Sequence, residues 1–393
     1  MHRYTNIIFR IEEKSYGGIM VYFDNAATGG FKSPAAVSAA TSVVKYLCAN
    51  PGRSGHRLSV TGAKIVESAR ELFAENFGAS AFRVIFTKNC TEALNTAILG
   101  TVKCGGHVVT TVYEHNSVLR PLNYLKSKGL ISLSVVAPEK DKDVVSAIKE
   151  RITDKTYLIV ATMGSNVTGE VFPTEKIGAL AKEKGLIFIA DGAQTGGHIG
   201  VNLKTQNISA LCLAGHKALG GIMGSGVLIL SDDTEVSPLT FGGTGTDSFS
   251  VLQPEDYPEK LEAGTLNLPA IAALLEGFRY VSGNIVRTEK ILCEKTGRMI
   301  DALSSIDKIT CYSAANPLGI VSFSVKDVPS VEIADILNSE YDVAVRGGLH
   351  CAPLTHKFLG TEKDGLTRVS LSVHNTANEE DFFISAMHDI CER

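Results

Sequence analysis

Short apolar runs separated by helical segments, repeated from residue 83 to residue 230, constrain this chain more than any other feature. The runs at 83–86, 107–111, 157–161, 186–190 and 211–214 are short and almost continuously apolar. They read as strands buried on both faces rather than as helices. Helical stretches lie between them, one from Thr91 and others at 118–128 and 175–184. This alternation predicts an α/β fold with a mostly parallel sheet covered by helices. A further run at 227–230 reads as the antiparallel member that mixed sheets often carry. Upstream, Ser33-Pro34 supplies an N-cap and a first-turn proline for a helix to about Leu47. The stretch 50–57 is too rich in glycine and polar groups for core and reads as a loop. Ile65, Ala69, Leu72 or Phe73, and Phe77 then share one helical face, which Gly78 ends.

Beyond Leu268-Pro269 the texture changes. A long helical stretch leads to a well-alternated, half-buried strand at 320–325. A helix at 331–337, short strands at 343–345 and 367–372, and a terminal helix at 379–390 follow. That order predicts a smaller α+β domain. The expected division is a large domain at 37–268 and a small one formed by 20–36 together with 269–393. Residues 1–19 mix charges and aromatics and match neither a secretory signal nor a clean transit peptide. They are expected to be a non-native or disordered extension, with Met20, the first residue of a strand at 20–24, as the natural start.

Bulk properties narrow the function classes. A chain of 393 residues buries a sizeable core. Its 38 basic and 42 acidic residues are not segregated, so nothing points to nucleic acid or to an anionic membrane surface. No apolar run approaches the roughly 20 residues of a membrane-spanning helix. Eight cysteines without paired spacing suggest reduced thiols and a cytoplasmic location.

The chemistry gathers at strand ends. Asp191 closes one apolar run and Lys217 lies just past the next. A carboxylate and a lysine so placed suit pyridoxal 5'-phosphate: the amine forms a Schiff base, and the carboxylate keeps the pyridine nitrogen protonated so that the ring accepts electrons. Taken singly, each has a plainer reading, an Asp capping a helix and a Lys on the surface. Asn89-Cys90-Thr91-Glu92 opens a helix whose free amides suit a phosphate, although a simple N-cap is the commoner use. His115 follows another strand, where a ring is able to stack on a cofactor or shuttle protons; a solvated loop histidine is the bland alternative. Asn166 and Gln194 also follow strand ends, where ligands gather in open α/β sheets.

These motifs, in this order, resemble fold-type I pyridoxal-phosphate enzymes of the class V aminotransferase superfamily, in the cysteine desulfurase and selenocysteine lyase branch. The resemblance runs from about Val21 to the C-terminus. It rests on Phe23-Asp24-Asn25-Ala26-Ala27-Thr28, Gly52-Arg53-Ser54-Gly55-His56-Arg57, Thr91-Glu92-Ala93-Leu94 and Glu114-His115-Asn116-Ser117. It continues through Ser165-Asn166-Val167-Thr168-Gly169, Asp191-Gly192-Ala193-Gln194-Thr195, Gly215-His216-Lys217, Gly264-Thr265-Leu266-Asn267, Arg346-Gly347-Gly348-Leu349-His350-Cys351-Ala352 and Arg368-Val369-Ser370-Leu371. Each motif is weak alone; the ordered set is specific.

The resemblance implies a seven-stranded sheet in the large domain and a role for each matching residue. Lys217 would hold the cofactor aldehyde and Asp191 the pyridine nitrogen, with His115 stacked on the ring. Gln194 and Asn166 would tune the phenolic oxygen. Thr91, Glu92 at the same helix start, and His216 would hold the phosphate. Thr265 would reach the phosphate of a neighbouring subunit, implying a homodimer with shared sites. Arg368 would clamp the substrate carboxylate, a task suited to a planar bidentate donor. Asn25, Arg346 and His56 would complete the substrate site. One departure is Ala214, at or next to a place where the family often has a hydroxyl for the phosphate.

Cys351 separates the possible reactions. Its Gly-rich loop, with His350 beside it and Arg346 close in sequence, favours a thiolate nucleophile, whereas a lone cysteine is usually packing. The expected reaction converts L-cysteine to L-alanine and leaves sulfur on Cys351 as a persulfide, for delivery to an acceptor protein. Selenocysteine lyase is the nearest alternative, with L-selenocysteine as substrate. Another class V reaction, or a cofactor-binding protein without turnover, are the further ones. His350, Cys351, His356 and His374 lack the usual zinc-ligand spacing, so no metal is expected.

Overall fold

A computed structural model describes residues 20–47, 49–138, 143–246 and 249–393. The expected N-terminal extension at 1–19 lies outside the described residues. At the centre is a seven-stranded sheet in the order β2-β8-β7-β6-β5-β3-β4. Its strands are β2 (Val84–Thr87), β3 (Gly106–Thr111), β4 (Ile131–Val136), β5 (Thr156–Thr162), β6 (Ile187–Asp191), β7 (Ala210–Ala214) and β8 (Gly226–Leu230). All neighbours pair in parallel except β8, which is antiparallel to both β7 and β2. The 227–230 run is therefore the reversed strand that the sequence suggests.

Alternation along each strand feeds two apolar layers. Phe86, Ile159, Phe188, Leu211 and Ile229 face one, while Ile85, Val160, Ile189, Cys212 and Leu228 face the other. Helices α1 (Pro34–Tyr46), α2 (Arg57–Phe77), α5 (Val144–Arg151), α6 (Thr174–Glu183) and α7 (Leu268–Ser282) close the first layer. Helices α3 (Cys90–Gly100) and α4 (Asn116–Ser127) close the second. Ser33 caps α1 by accepting from the Ala36 amide, and Gly78 ends α2 in the left-handed region. The stretch read as a loop to residue 57 is shorter than expected, because α2 begins at Arg57 with His56 as its N-cap.

The remaining elements build a second unit. Strands β9 (Ile309–Cys311), β10 (Ile320–Val325) and β12 (Thr367–Ser370) form an antiparallel sheet, and β1 (Val21–Tyr22) pairs in parallel with β11 (Val343–Ala344). Helices α8 (Ile285–Ser304), α9 (Ser330–Tyr341), α10 (Pro353–Leu359) and α11 (Ala377–Glu392) complete it. Its core, built around Phe23, Leu292, Phe323, Leu337 and Phe383, is separate from the two layers of the large sheet. Helix α7 lies beyond the 268/269 boundary drawn from sequence, yet buries Ile271, Leu274 and Phe278 in the first unit's core. Hydrophobic burial ties that helix to the large sheet.

Candidate active site

Because β2, β3, β5, β6 and β7 run the same way, their carboxyl ends share one edge of the sheet. Asn89, His115, Asn166, Gln194 and Lys217 follow those ends. One cavity there is lined by Thr91, His115, Asn166, Asp191, Gln194, His216, Lys217, Arg346 and Arg368. Nine of the sequence-selected residues thus meet at one place.

Asp191 is 3% exposed. Its Oδ1 accepts from the Ala193 amide at 2.9 Å and lies 3.7 Å from Cys90 Sγ. Burial raises its pKa, against the Ala193 amide and the Lys217 cation. Lys217 is half-buried in the turn that leaves β7. Burial lowers its pKa, Cys90 and Asp191 oppose this, and Arg368 and Arg346 reinforce it. An amine pushed in that direction has a larger neutral, nucleophilic fraction, which forming a covalent link to an aldehyde requires.

His115 caps α4. Its Nδ1 accepts from the Ser117 amide at 3.1 Å, so in the neutral ring Nε2 carries the proton. Ser117 Oγ lies 2.9 Å from the same nitrogen and 2.8 Å from Thr91 Oγ1. Burial first, then Lys217, Arg346, Arg368 and Arg120, lower the His115 pKa to about 4, so the ring is uncharged at neutral pH. His216 is likewise lowered to about 4, by burial and then by Lys217 and Lys32. Its Nδ1 lies 3.1 Å from Thr28 Oγ1. Gln194 Nε2 donates to the Ala26 carbonyl at 3.2 Å, and Asn166 Nδ2 to that of His350 at 2.7 Å. Ala214 presents only a methyl to the cavity.

Arg368 is 1% exposed. It donates from Nη1 to the Asn166 carbonyl at 2.9 Å and from Nη2 to Asp24 Oδ1 at 3.0 Å. Its Nε is buried without a hydrogen-bond partner among the described residues. Asn25 lies close by, donating to the Ser370 carbonyl at 2.8 Å. Cys351 lies just outside, in an adjoining exposed cavity that shares Thr91, His115 and Ser117 with the first. His350 and Cys351 both have positive φ, 49° and 58°, a region that non-glycine residues seldom occupy. The Cys351 carbonyl accepts from the Asn116 amide at 2.7 Å, and Arg346 Nη2 lies 3.8 Å from Sγ.

Asn25 and Cys351 thus stand beside this cavity rather than in its lining, and three further selected residues lie away from it. Glu92 turns its carboxylate back to Lys88, accepting from the Lys88 amide and pairing with its ammonium at 3.4 Å. Its own amide is taken by Asn89 Oδ1 at 2.9 Å, which leaves the helix start fewer free donors. His56 is exposed and spends Nδ1 on the Ser59 amide as the α2 cap. Thr265 is exposed beside a different cavity, with Asn50 Nδ2 at 3.4 Å from its hydroxyl. Conversely, sequence reading passed over Glu114, which is fully buried. Its Oε1 accepts from Thr111 Oγ1 at 2.6 Å and from the Thr162 amide at 3.0 Å, while Oε2 has no partner among the described residues. Burial pushes its pKa up to about 8. A carboxylate directly ahead of a strand-end histidine was the available signal. Among the described residues, no group of three or more His, Cys, Asp or Glu is placed to hold a metal ion.

The donor set fits pyridoxal 5'-phosphate. It offers an amine of lowered basicity, a buried carboxylate, a neutral ring and the start of α3. The class-V aminotransferase family model matches residues 21–383, and the chain belongs to that family. Within it, the similar proteins lie in the cysteine desulfurase branch. A probable cysteine desulfurase of Pyrococcus abyssi is 31% identical, over 94% of each chain. One from Methanothermobacter thermautotrophicus is 32% identical, over 91% of this chain and 92% of the relative. The solved apo structure of a cysteine desulfurase from Thermococcus onnurineus superposes with a TM-score of 0.88 at 31% identity, over 95% of both chains. The family implies pyridoxal phosphate in general and confirms the fold class expected from sequence.

Proposed function

We propose that this protein is a cysteine desulfurase that converts L-cysteine to L-alanine and keeps the sulfur on Cys351. The observation that carries this reading is the placement of Cys351 beside Arg346, across the His115 wall from the Lys217–Asp191 cavity. Arg368 and Arg346 supply the cations for the substrate carboxylate. When bound, pyridoxal phosphate accepts the electron pair left on the substrate α-carbon. Lys217 Nζ would hold the cofactor aldehyde, and its amine would take the substrate α-proton. Asp191 keeps a negative charge at the pyridine end, and neutral His115 presents Nε2–H without adding a cation. Cys351 Sγ, as thiolate, attacks the substrate sulfur; the new S–S bond forms as the substrate C–S bond breaks, and the electron pair stays with the carbon. Protonation of that β-carbon and return of the α-proton from Lys217 give alanine, and the enzyme keeps a persulfide. Sγ has to pass His115 to reach the inner cavity, so the 347–351 loop moves inward during turnover.

A homodimer with shared sites is part of this reading. Arg53 Nη2 donates to the Gly243 and Gly264 carbonyls, tying the exposed Thr265 segment to a loop that exposes Phe241, Phe249, Val251 and Leu252. Apolar surface of that kind is normally covered. A sulfur-acceptor protein would take the persulfide at the exposed Cys351. Cytoplasmic placement accords with the seven described cysteines, all free. No helix among the described residues is long and apolar enough to cross a membrane. A division into two domains is supported by the separate apolar cores, with α7 packed on the larger. The test is product analysis of the purified holoenzyme with reductant, supplying L-cysteine, L-selenocysteine or an amino acid with a keto-acid acceptor. Alanine and sulfide in equal amounts from cysteine are expected. Amino transfer to the keto acid without sulfide would replace the reading, and turnover confined to selenocysteine would make the protein a lyase.

A further inference from the structure

We infer that Cys90 is a positioning residue for the cofactor ring: its S–H anchors Asp191 Oδ1 and leaves Oδ2 to face the pyridine nitrogen. The inference rests on the reading that the Lys217 cavity holds pyridoxal phosphate. Cys90 is the first residue of α3, and it lines that cavity with Sγ 3.7 Å from Asp191 Oδ1. Oδ1 also takes the Ala193 amide, whereas Oδ2 has no hydrogen bond among the described residues. Two donors on one oxygen fix the rotation of the carboxylate, which a single backbone contact does not do.

The backbone holds the thiol there. Asn89 caps α3 and packs directly on β8, where a Cβ at Gly226 would fall 2.4 Å from the Asn89 carbonyl carbon. Only glycine at 226 lets the start of α3 come this close to the sheet. Burial and the neighbouring Asp191 hold the Cys90 thiol well above its usual range, so it stays protonated and acts as donor. The other ionisable groups around Asp191 are Lys217 after β7, Cys212 within β7 and Glu114 after β3. Cys212 is the β-ladder partner of Asp191, but no hydrogen bond joins the two side chains. Cys90 is therefore the side-chain donor to this carboxylate.

The test measures pyridoxal 5'-phosphate binding to the apoprotein, and the pH midpoint of the bound cofactor's visible absorption, in wild type, Cys90→Ala and Cys90→Ser. Loss of one hydrogen bond predicts that Cys90→Ala weakens binding by roughly two- to tenfold and displaces the midpoint. Cys90→Ser keeps a donor and should bind within about twofold of wild type. Identical binding and midpoint in wild type and Cys90→Ala overturn the inference, as does a serine variant that behaves like alanine. If neither variant folds, the infrared S–H stretch of the apoprotein decides, because a thiol band should shift between wild type and Asp191→Asn. An unchanged S–H region overturns the inference. Wild-type apoprotein that takes up no pyridoxal phosphate would sink the cofactor reading itself, a failure separate from either result with Cys90.

Discussion

Replacing Arg368 separates substrate recognition from folding, provided that two substitutions are compared. Arg368→Lys keeps a cation but exchanges a planar fork of donors for one ammonium group. The guanidinium spans the Asn166 carbonyl at 2.9 Å and Asp24 Oδ1 at 3.0 Å, and an ammonium cannot hold both while also meeting a substrate carboxylate. Losing one charge-assisted contact costs about 1.5–3 kcal/mol. That corresponds to a rise in KM for cysteine of roughly ten- to 150-fold. Arg368→Ala goes further, leaving Asp24 and the Asn166 carbonyl unpaired in a site where the arginine is 1% exposed. Breaking a buried pair costs about 3–5 kcal/mol, and we take the lower end because Asp24 keeps 23% exposure. The alanine variant should therefore melt several degrees lower as well as bind cysteine poorly, whereas the lysine variant should lose mainly affinity. Steady-state kinetics with L-cysteine and thermal melts of the holoproteins measure both effects. A lysine variant with wild-type KM would refute the clamp and reassign Arg368 to holding Asp24 and Asn166 together.

Other perturbations probe the remaining parts. Lys217→Ala should remove the visible absorption of the bound cofactor and any borohydride-reducible link; a surviving link would identify a different lysine. Cys351→Ser should still bind cysteine and alter the cofactor spectrum, yet lose persulfide formation and alanine release; sulfide release at the wild-type rate would exclude Cys351 as nucleophile. Glu114 has a folded pKa of about 8, above its usual 4.5. It therefore contributes stability that is complete below about 4.5 and is lost as pH rises towards 8. Glu114→Gln should flatten that decline in apoprotein melting temperature between about pH 4.5 and 8, and parallel pH profiles for the two proteins would show that Glu114 does not titrate there.

Most of the sheet was legible because its strands are short apolar runs, and the reversed strand β8 was legible for the same reason. Strand β4 was not: its sequence ISLSVV lies at the sheet edge, with half-exposed serines in place of a continuous apolar run. Helix α5, only eight residues long, carries too little periodicity to declare itself. In the site, Lys217, Asp191, His115, Asn166 and Gln194 were legible as polar residues just past buried strands. Glu92 and His56 occupy equally suggestive sequence positions, but satisfying their own helix ends uses up their polar atoms. Cys90 and Glu114 gave the opposite difficulty. The significance of Cys90 lies in what faces it across the fold, at Asp191, which no local pattern encodes; Glu114 stands directly ahead of a strand-end histidine, but its partner at Thr162 is likewise brought to it only by the fold.

The ion pair between Asp24 and Arg368 joins positions 344 residues apart. At a synthesis rate of about 5–20 residues per second, roughly 15–70 s separate the appearance of the two partners on the ribosome. For the part of that interval between residues 217 and 351, roughly two fifths of it, the emerging chain carries Thr91, His115, Asp191 and Lys217 but neither Cys351 nor Arg368. β1 also waits for β11 before it has a strand to pair with. On the proposed roles, an unfinished chain that captured the cofactor would lack both Arg368, the proposed carboxylate clamp, and Cys351, the proposed sulfur acceptor. On that reading, reactive sulfur would be confined to polypeptides whose synthesis has passed Cys351.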